Sequence, residues 1–261
     1  MLPFFPFVAS AERHESIGST NDRARQCAAE GHPLPRLIVA DRQTAGRGRG
    51  ANRWWTGSGS LAMSLLLPPE AIVQTPGQSS LVSLATGVAV IEAIAADLPD
   101  DFLNTAAQAD RPARLGLHWP NDVMLDGRKL AGILVERLPT GHHVVGIGVN
   151  TNNTAADAPP ELRDRIATLR DATGATHDHD NLLAALLRRF EAQLNQLRAD
   201  GQEVARHANE LCLQRGRTLT VLAGAERITG PCRGIAPDGA LLLATPDGLR
   251  PCYTGIVQEE R

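Results

Sequence analysis

Aromatic side chains are scarce in this sequence, at 3% of 261 residues, and the scarcity already narrows what the chain can be. A core of this size must rest on Leu, Val, Ile and Ala, so the three tryptophans, Trp54, Trp55 and Trp119, are candidates for specific jobs. Cysteine is sparse too. Cys27, Cys212, Cys232 and Cys252 are widely spaced with no Cys-x-x-Cys pair, so no zinc or dithiol motif is visible and reduced thiols are expected. Neither sign of charge dominates: 26 Lys and Arg oppose 29 Asp and Glu, a formal net charge of -3. Bulk attraction to DNA or RNA is therefore lacking. Residues 1–10 are apolar but short, carry two prolines and lack a basic lead-in, so neither a signal peptide nor a membrane helix is expected there. A cytoplasmic protein is the expectation. Hydrophobic and charged fractions of 43% and 21% are ordinary for soluble chains, and the length suits one large domain or a main domain with a small appendage.

What the sequence has is concentrated in residues 41–64, DRQTAGRGRGANRWWTGSGSLAMS. Gly46, Gly48 and Gly50 alternate with Arg47 and Arg49. The backbone can approach a ligand closely while two guanidiniums supply forked, permanently charged donors, which suits an anion and above all phosphate. Apolar runs at 37–40 and 61–67 read as buried strands and pin the loop at both ends. Glycine with arginine also makes solvated surface loops and unspecific nucleic-acid patches. No Lys-Ser/Thr pair closes the glycines as in a Walker loop, and no helix with dinucleotide-type glycine spacing follows.

Ser19-Thr20-Asn21-Asp22 opens a helical pattern of Ala24, Cys27, Ala28 and Ala29, where polar side chains are expected to cap free N–H groups. Residues 79–98 place Leu81, Leu84, Ala85, Val88, Ile91, Ala95 and Leu98 at helical spacing, a core helix without chemistry. Residues 99–114 are polar and proline-punctuated, a surface excursion. His118-Trp119-Pro120-Asn121-Asp122 leads through Val123-Met124-Leu125 to Asp126-Gly127, a hairpin signal, and on to Lys129-Leu130-Ala131-Gly132-Ile133-Leu134-Val135-Glu136. That hairpin sets Asp122 and Lys129 on neighbouring strands, close enough to share a ligand. A lone lysine in such a strand is otherwise a solvated residue. Residues 144–150 form an apolar strand whose Gly146 and Gly148 let backbone or ligand pack close, ending at Asn150. Helices are expected over 161–173, 180–199 and about 202–213. Composition shifts near Gln214, and short apolar runs between Gly-Ala and two Pro-Asp-Gly turns predict a small β-barrel, dividing the chain into 1–213 and 214–261.

Taken in order, Ser19-Thr20-Asn21, then Gln43, Gly46-Arg47-Gly48-Arg49 and Trp54, then the segment from Trp119 to Glu136, then the strand ending at Asn150 resemble the signatures of biotin protein ligases, the holocarboxylase synthetase family. The likeness spans about residues 16–257, and the hairpin is its most specific part. It implies an α+β fold: a class II synthetase-like catalytic domain with a mixed, mostly antiparallel sheet and helices packed on it, then a small SH3-like barrel. It implies a ligase that uses ATP to convert biotin to biotinyl-5'-AMP, releasing pyrophosphate, and passes biotin to a lysine of a biotin carboxyl carrier protein or domain. By the same resemblance, biotin contacts fall on Ser19, Thr20, Asn21, Gln43, Gly46, Arg47, Gly48, Arg49, Lys129 and Gly132. Adenylate contacts fall on Trp54, Asn121 and Asn150, and catalysis on Lys129, Arg47, Arg49 and Asp122. Magnesium is expected with ATP, Asp122 being a candidate ligand.

A carboxylate does not acylate an amine at neutral pH until it is given a leaving group, and AMP is the one this loop suits. Arg47, Arg49 and Lys129 are the cations expected to meet charge building on phosphate oxygens. Residues 47–55 are expected to close as a lid over a water-sensitive anhydride, with Trp54 in its apolar face. The chain departs from the family pattern in four places: Gly50-Ala51-Asn52 replaces a second Arg-Gly, Ser60 a common asparagine, His118 a lysine, and Thr254-Gly255-Ile256 a Gly-Glu ending. Residues 50–52 are therefore given no ligand role, and contact from the barrel is left open. Ser19 comes too early for the winged helix-turn-helix of repressor-type members, so a ligase without DNA binding is expected, with no nucleic-acid or membrane partner and a homodimer left open. Lipoate or octanoate attachment is the nearest rival, calling for an apolar pocket rather than Ser19 to Asn21 and Gln43. A noncatalytic nucleic-acid module is the other, and predicts steeply salt-dependent binding.

Overall fold

The computed structural model describes residues 3, 5–72, 78–99, 102 and 114–259. A seven-stranded sheet is built from β1 (Ser10–His14), β2 (Arg36–Ala40), β3 (Leu61–Leu67), β4 (Leu115–His118), β5 (Asp122–Leu125), β6 (Arg128–Arg137) and β7 (His143–Val149). Their order is β1-β2-β3-β7-β6-β5-β4, and only the β1–β2 pair is parallel. Runs such as Leu61–Leu67 are buried along their whole length because both faces of the sheet are covered. At the β5–β6 turn Asp126 and Gly127 both take positive φ, 49° and 75°, the pair of dihedrals a tight two-residue hairpin needs.

Helix α2 (Gln78–Asp97) packs lengthwise on α5 (His179–Ala199) and, with α6 (Gly201–Glu210), covers one face of the sheet. It is apolar and long enough to cross a membrane by composition, yet most of it is buried in this core. Helix α1 (Thr20–Glu30) lies on the other face, against β2, β3 and β7. Strand β7 shows the division: Val145, Ile147 and Val149 join the large core under α2 and α5, whereas Val144 joins Ala24, Cys27, Ile38 and Leu66 under α1.

Two helix expectations change. Residues 161–173 are not one helix but two, α3 (Pro160–Arg163) and α4 (Leu169–Thr173). Between them Lys129 N–H donates to Arg165 O and Ala167 N–H to Lys129 O, both at 2.9 Å, so sheet pairing outbids helix, and Thr168 caps the second piece. The helix expected to reach residue 213 stops at Glu210, because Leu211 O and Leu213 N–H pair with Leu117. The excursion at 99–114 lies almost wholly outside the described residues.

Strands β8 (Thr218–Ala223), β9 (Glu226–Ile235), β10 (Leu241–Thr245), β11 (Gly248–Cys252) and β12 (Ile256–Glu259) form a second antiparallel sheet in the order β11-β10-β9-β8-β12. No pairing joins β11 to β12 among the described residues, so the expected barrel is an open sheet here. Trp119 fastens it to the first sheet: its Nε1 donates to Gly239 O at 3.0 Å, and its backbone N–H donates to Gln214 Oε1 at 2.6 Å. The residue is fully buried, which explains one tryptophan as a structural anchor.

Candidate active site

Parity along β6 determines what the site contains. Asp122 pairs with Gly132 and Val123 with Ala131, but Met124 pairs with Lys129, leaving Leu130 as an extra, bulged residue. In a regular strand Lys129 and Gly132, three positions apart, would project from opposite faces. The bulge puts Lys129 on the face of Asp122, Gly132, Leu134 and Glu136. Register then carries that face across the sheet, Gly132 opposite Gly148 and Leu134 opposite Gly146, then Gly148 opposite Ala62 and Gly146 opposite Ser64.

The face is floored by glycine, and what lies above leaves no room for a side chain. A Cβ at Gly146 would sit 2.1 Å from Asn21 Oδ1, and one at Gly148 would sit 2.4 Å from the Trp54 ring. Both distances are well inside van der Waals contact, so these glycines are required by α1 and the arginine loop. The Trp54 indole also reaches Gly132, and its Nε1 is buried with no partner, an orphaned donor of the kind that a ligand or water satisfies. Lys129 Nζ lies 5.7 Å from the Trp54 ring centroid and 2.7 Å from Asp122 Oδ1. That carboxylate oxygen has no aligned hydrogen bond, so its contact with Lys129 is an ion pair only.

The arginine loop is itself a narrow hairpin. Arg47 bridges Arg53, Gly48 N–H donates to Asn52 O at 2.9 Å, Trp54 N–H donates to Gly46 O at 3.0 Å, and Gly50 turns the tip at φ 60°. Arg47 Nη1 donates to Asp22 at 2.8 Å and its Nη2 lies 3.3 Å from Glu136. The Asp22 bond outweighs partial burial and pushes the guanidinium pKa further up. Arg49 donates to Asn121 Oδ1 at 3.2 Å and to Thr254 Oγ1 at 3.1 Å, so the second sheet does touch the loop, at a position where the sequence departs from the family pattern.

A continuous polar chain runs beneath the loop. Gln43 Oε1 accepts from Thr20 N–H at 2.8 Å and from Thr20 Oγ1 at 3.1 Å, while Gln43 Nε2 donates to Thr56 at 3.3 Å. Ser64 Oγ lies 2.8 Å from Thr20 Oγ1 and donates to Asn21 Oδ1 at 2.6 Å, and Asn21 Nδ2 donates to Glu136 Oε2 at 2.9 Å. Ser19 occupies the helix N-cap position, but its side chain makes no capping bond, contrary to the sequence expectation. Thr20, Asn21 and Asp22 are committed to the site instead.

The predicted site residues other than Ser19, whose side chain makes no capping bond, therefore lie on or over one face of the sheet. Lys129, Asp122, Arg47, Arg49, Thr20, Asn21, Gln43 and Trp54 have side chains meeting there, and Gly46, Gly48 and Gly132 allow close approach. Asn121 and Asn150 brace the site: Asn121 Nδ2 donates to Ile133 O at 2.9 Å, and buried Asn150 donates to Lys129 O at 3.3 Å and accepts from Asn153 at 3.2 Å. Sequence reasoning assigned no site role to Ser64, Glu136, Asp22 or Thr56. A signal for Ser64 existed, as the lone polar residue in the apolar run Leu61–Leu67. Glu136 closes the segment that carries the resemblance but, as a charged residue one short of the end of β6, drew no role of its own.

The site thus sets paired cations and hydrogen-bonding side chains over a floor of glycine, and comparison with known proteins shows the class of enzyme to which it belongs, a ligase. The model of the Biotin/lipoate A/B protein ligase family matches residues 14–152, and that of the Biotin protein ligase C terminal domain matches residues 216–258. The bifunctional ligase/repressor BirA of Bacillus spizizenii is 31% identical, over 93% of this chain and 71% of its own length. A Mycobacterium tuberculosis enzyme, biotin-(acetyl-CoA-carboxylase) ligase, is 33% identical over 87% of this chain and 80% of its own. The biotin protein ligase of Aquifex aeolicus, solved with biotin and ATP, superposes with a TM-score of 0.80 at 28% identity, covering 97% of this chain and 99% of that one. The chain belongs to the biotin/lipoate protein ligase family, as a member of its biotin protein ligase branch.

Proposed function

We propose that this ligase activates biotin with ATP to biotinyl-5'-AMP, releases pyrophosphate, and transfers the biotinyl group to a lysine of a carboxylase's biotin carrier domain. The observation that carries this reading is the bulge at Leu130, which brings Lys129 over the glycine floor, between Asp122 and Trp54 and facing the Arg47–Arg49 hairpin. In the first step the biotin carboxylate attacks the α-phosphorus, and Lys129, Arg47 and Arg49 take up charge on the phosphate oxygens; preorganised cations usually supply the largest catalytic contribution. In the second, the carrier amine attacks the acyl carbon and AMP leaves. Lys129 then steadies the oxyanion, and Asp122 is placed to receive the amine proton.

Magnesium enters with ATP, as part of the substrate. Asp122 fits poorly as its ligand, because one carboxylate oxygen already faces the Lys129 ammonium, so no step depends on it. The polar chain of Thr20, Gln43, Ser64 and Asn21 favours biotin's ureido ring, which can bond to its remaining lone pairs and N–H groups, over a dithiolane or alkyl chain, which can bond to none of them. The net charge of -3 and the engagement of Arg47 and Arg49 by Asp22, Glu136, Asn121 and Thr254 support the ligase reading of the arginine loop over a nucleic-acid one.

Biotin-dependent exchange of pyrophosphate into ATP, run with octanoate and lipoate in parallel, tests the proposal. Exchange with biotin alone is expected. Exchange only with the fatty acids would change the substrate, and none with any acid would overturn the adenylation chemistry.

A further inference from the structure

Glu136 belongs to no part of the chemistry above, yet it is the most heavily engaged carboxylate on the site face. Its Oε2 accepts Asn21 Nδ2 at 2.9 Å, its Oε1 faces Arg47 Nη2 at 3.3 Å and pairs with Arg25, and only 17% of the side chain is exposed. A carboxylate in such a place, ion-paired to two guanidiniums, can only accept. Asn21 must therefore present its amide N–H to Glu136 and its carbonyl oxygen to the other side, where Gly146 lets it lie flat on β7 and Ser64 Oγ sits 2.6 Å away. A carbonyl oxygen cannot donate, so the single Ser64 proton is committed to Asn21. Ser64 then faces Thr20 as an acceptor, across 2.8 Å. Thr20 sends its own proton inward, to Ser64 Oγ or to Gln43 Oε1 at 3.1 Å, and its hydroxyl has only lone pairs left to offer.

We propose that Glu136 is a positioning residue for the biotin subsite: it fixes the amide sense of Asn21 and, through Ser64, makes Thr20 an acceptor matched to a ureido N–H. The inference rests on the biotin reading. It deepens it, because an alkyl or dithiolane ligand has no N–H to give and gains nothing from this polarity.

Glu136→Gln keeps the size of the side chain but can donate, which frees Asn21 to flip and scrambles the chain. Asp22 still holds Arg47 in that variant, so phosphate handling is spared. In pyrophosphate exchange the KM for biotin is expected to rise about tenfold, the effect of one lost or misdirected buried hydrogen bond, with kcat and the KM for ATP changed less than about threefold. The double variant Glu136→Gln with Asn21→Asp restores a donor facing an acceptor and leaves a carboxylate oxygen for Ser64, and should recover most of the biotin KM. An unchanged biotin KM in Glu136→Gln would overturn the proposal. So would a fall in melting temperature and kcat with KM unmoved, which marks a structural ion pair, or a double variant worse than the single one. Absence of biotin-dependent exchange in the unaltered protein would instead refute the biotin reading itself.

Discussion

The two faces of strand β7 show what each half of the molecule is for. On one side Val145, Ile147 and Val149 fill the core under α2 and α5 with branched side chains. On the other, one residue out of phase, Gly146 and Gly148 carry nothing, so that Asn21 and Trp54 can rest on the backbone. The same strand thus buries apolar volume for stability on one face and withholds it for function on the other. Substitutions on the two faces should consequently fail in different measurements.

The sharpest separation is expected from Lys129→Ala, which removes a cation of the site face and touches no core. Adenylation should drop on the order of a hundredfold or more, with the melting temperature nearly unchanged. Near-normal turnover would mean that the bulge at Leu130 serves packing alone. Next come paired changes on β7. Gly146→Ala must displace Asn21 and should raise the KM for biotin roughly tenfold, whereas Ile147→Ala, on the opposite face, should cost about 2–4 kcal/mol in chemical denaturation and leave that KM alone. If the two variants shift the same quantity, the division of labour is wrong. A smaller effect is expected in the arginine hairpin: trypsin should cut at Arg47, Arg49 or Arg53 in the empty protein several-fold faster than with biotin and ATP bound, and equal rates would dispose of the lid.

The smallest expected effect is on pH, and it too separates regions. His179, at the start of α5, has its pKa lowered by burial and by Arg13, and its Nε2 lies 2.6 Å from Thr151 Oγ1. The unfolded chain therefore binds this proton first as pH falls, so stability present above about pH 6.5 is lost below it. Glu12 acts lower: burial pushes its carboxyl up, but hydrogen bonds from Arg23, His14 and Arg36 prevail and hold it at about 2. Its contribution is present above the ordinary carboxylate range and is lost as pH falls from there toward 2. Melting curves between pH 7.5 and 5.5 should flatten in His179→Gln, and an unaltered slope would show that the ring titrates normally.

Much of the site was legible because it rests on local patterns. An Asp-Gly turn announces a hairpin, alternating glycine and arginine announces an anion loop, and a polar run ahead of a helix announces donors and acceptors. Ser19 shows the limit, for the polar run predicted a cap, yet the Ser19 side chain makes no capping bond and Asn21 turns onto Gly146 instead. The helix expected over 161–173 failed for a related reason, since its middle pairs with Lys129, a partner more than thirty residues away.

The residue types at the site, the glycine strand, the hairpin turn and the apolar periodicity of α2 and α5 were determined by the sequence alone, because each depends on side-chain chemistry and near-neighbour spacing. Tertiary structure alone decided the rest. Strand parity is set by pairing, so the bulged Leu130 and the face that Lys129 occupies appear only when β5 and β6 are in register. The hold of Glu136 on Asn21, and of Thr254 on Arg49, joins positions more than a hundred residues apart. Contacts of that range exist only after the sheets have formed.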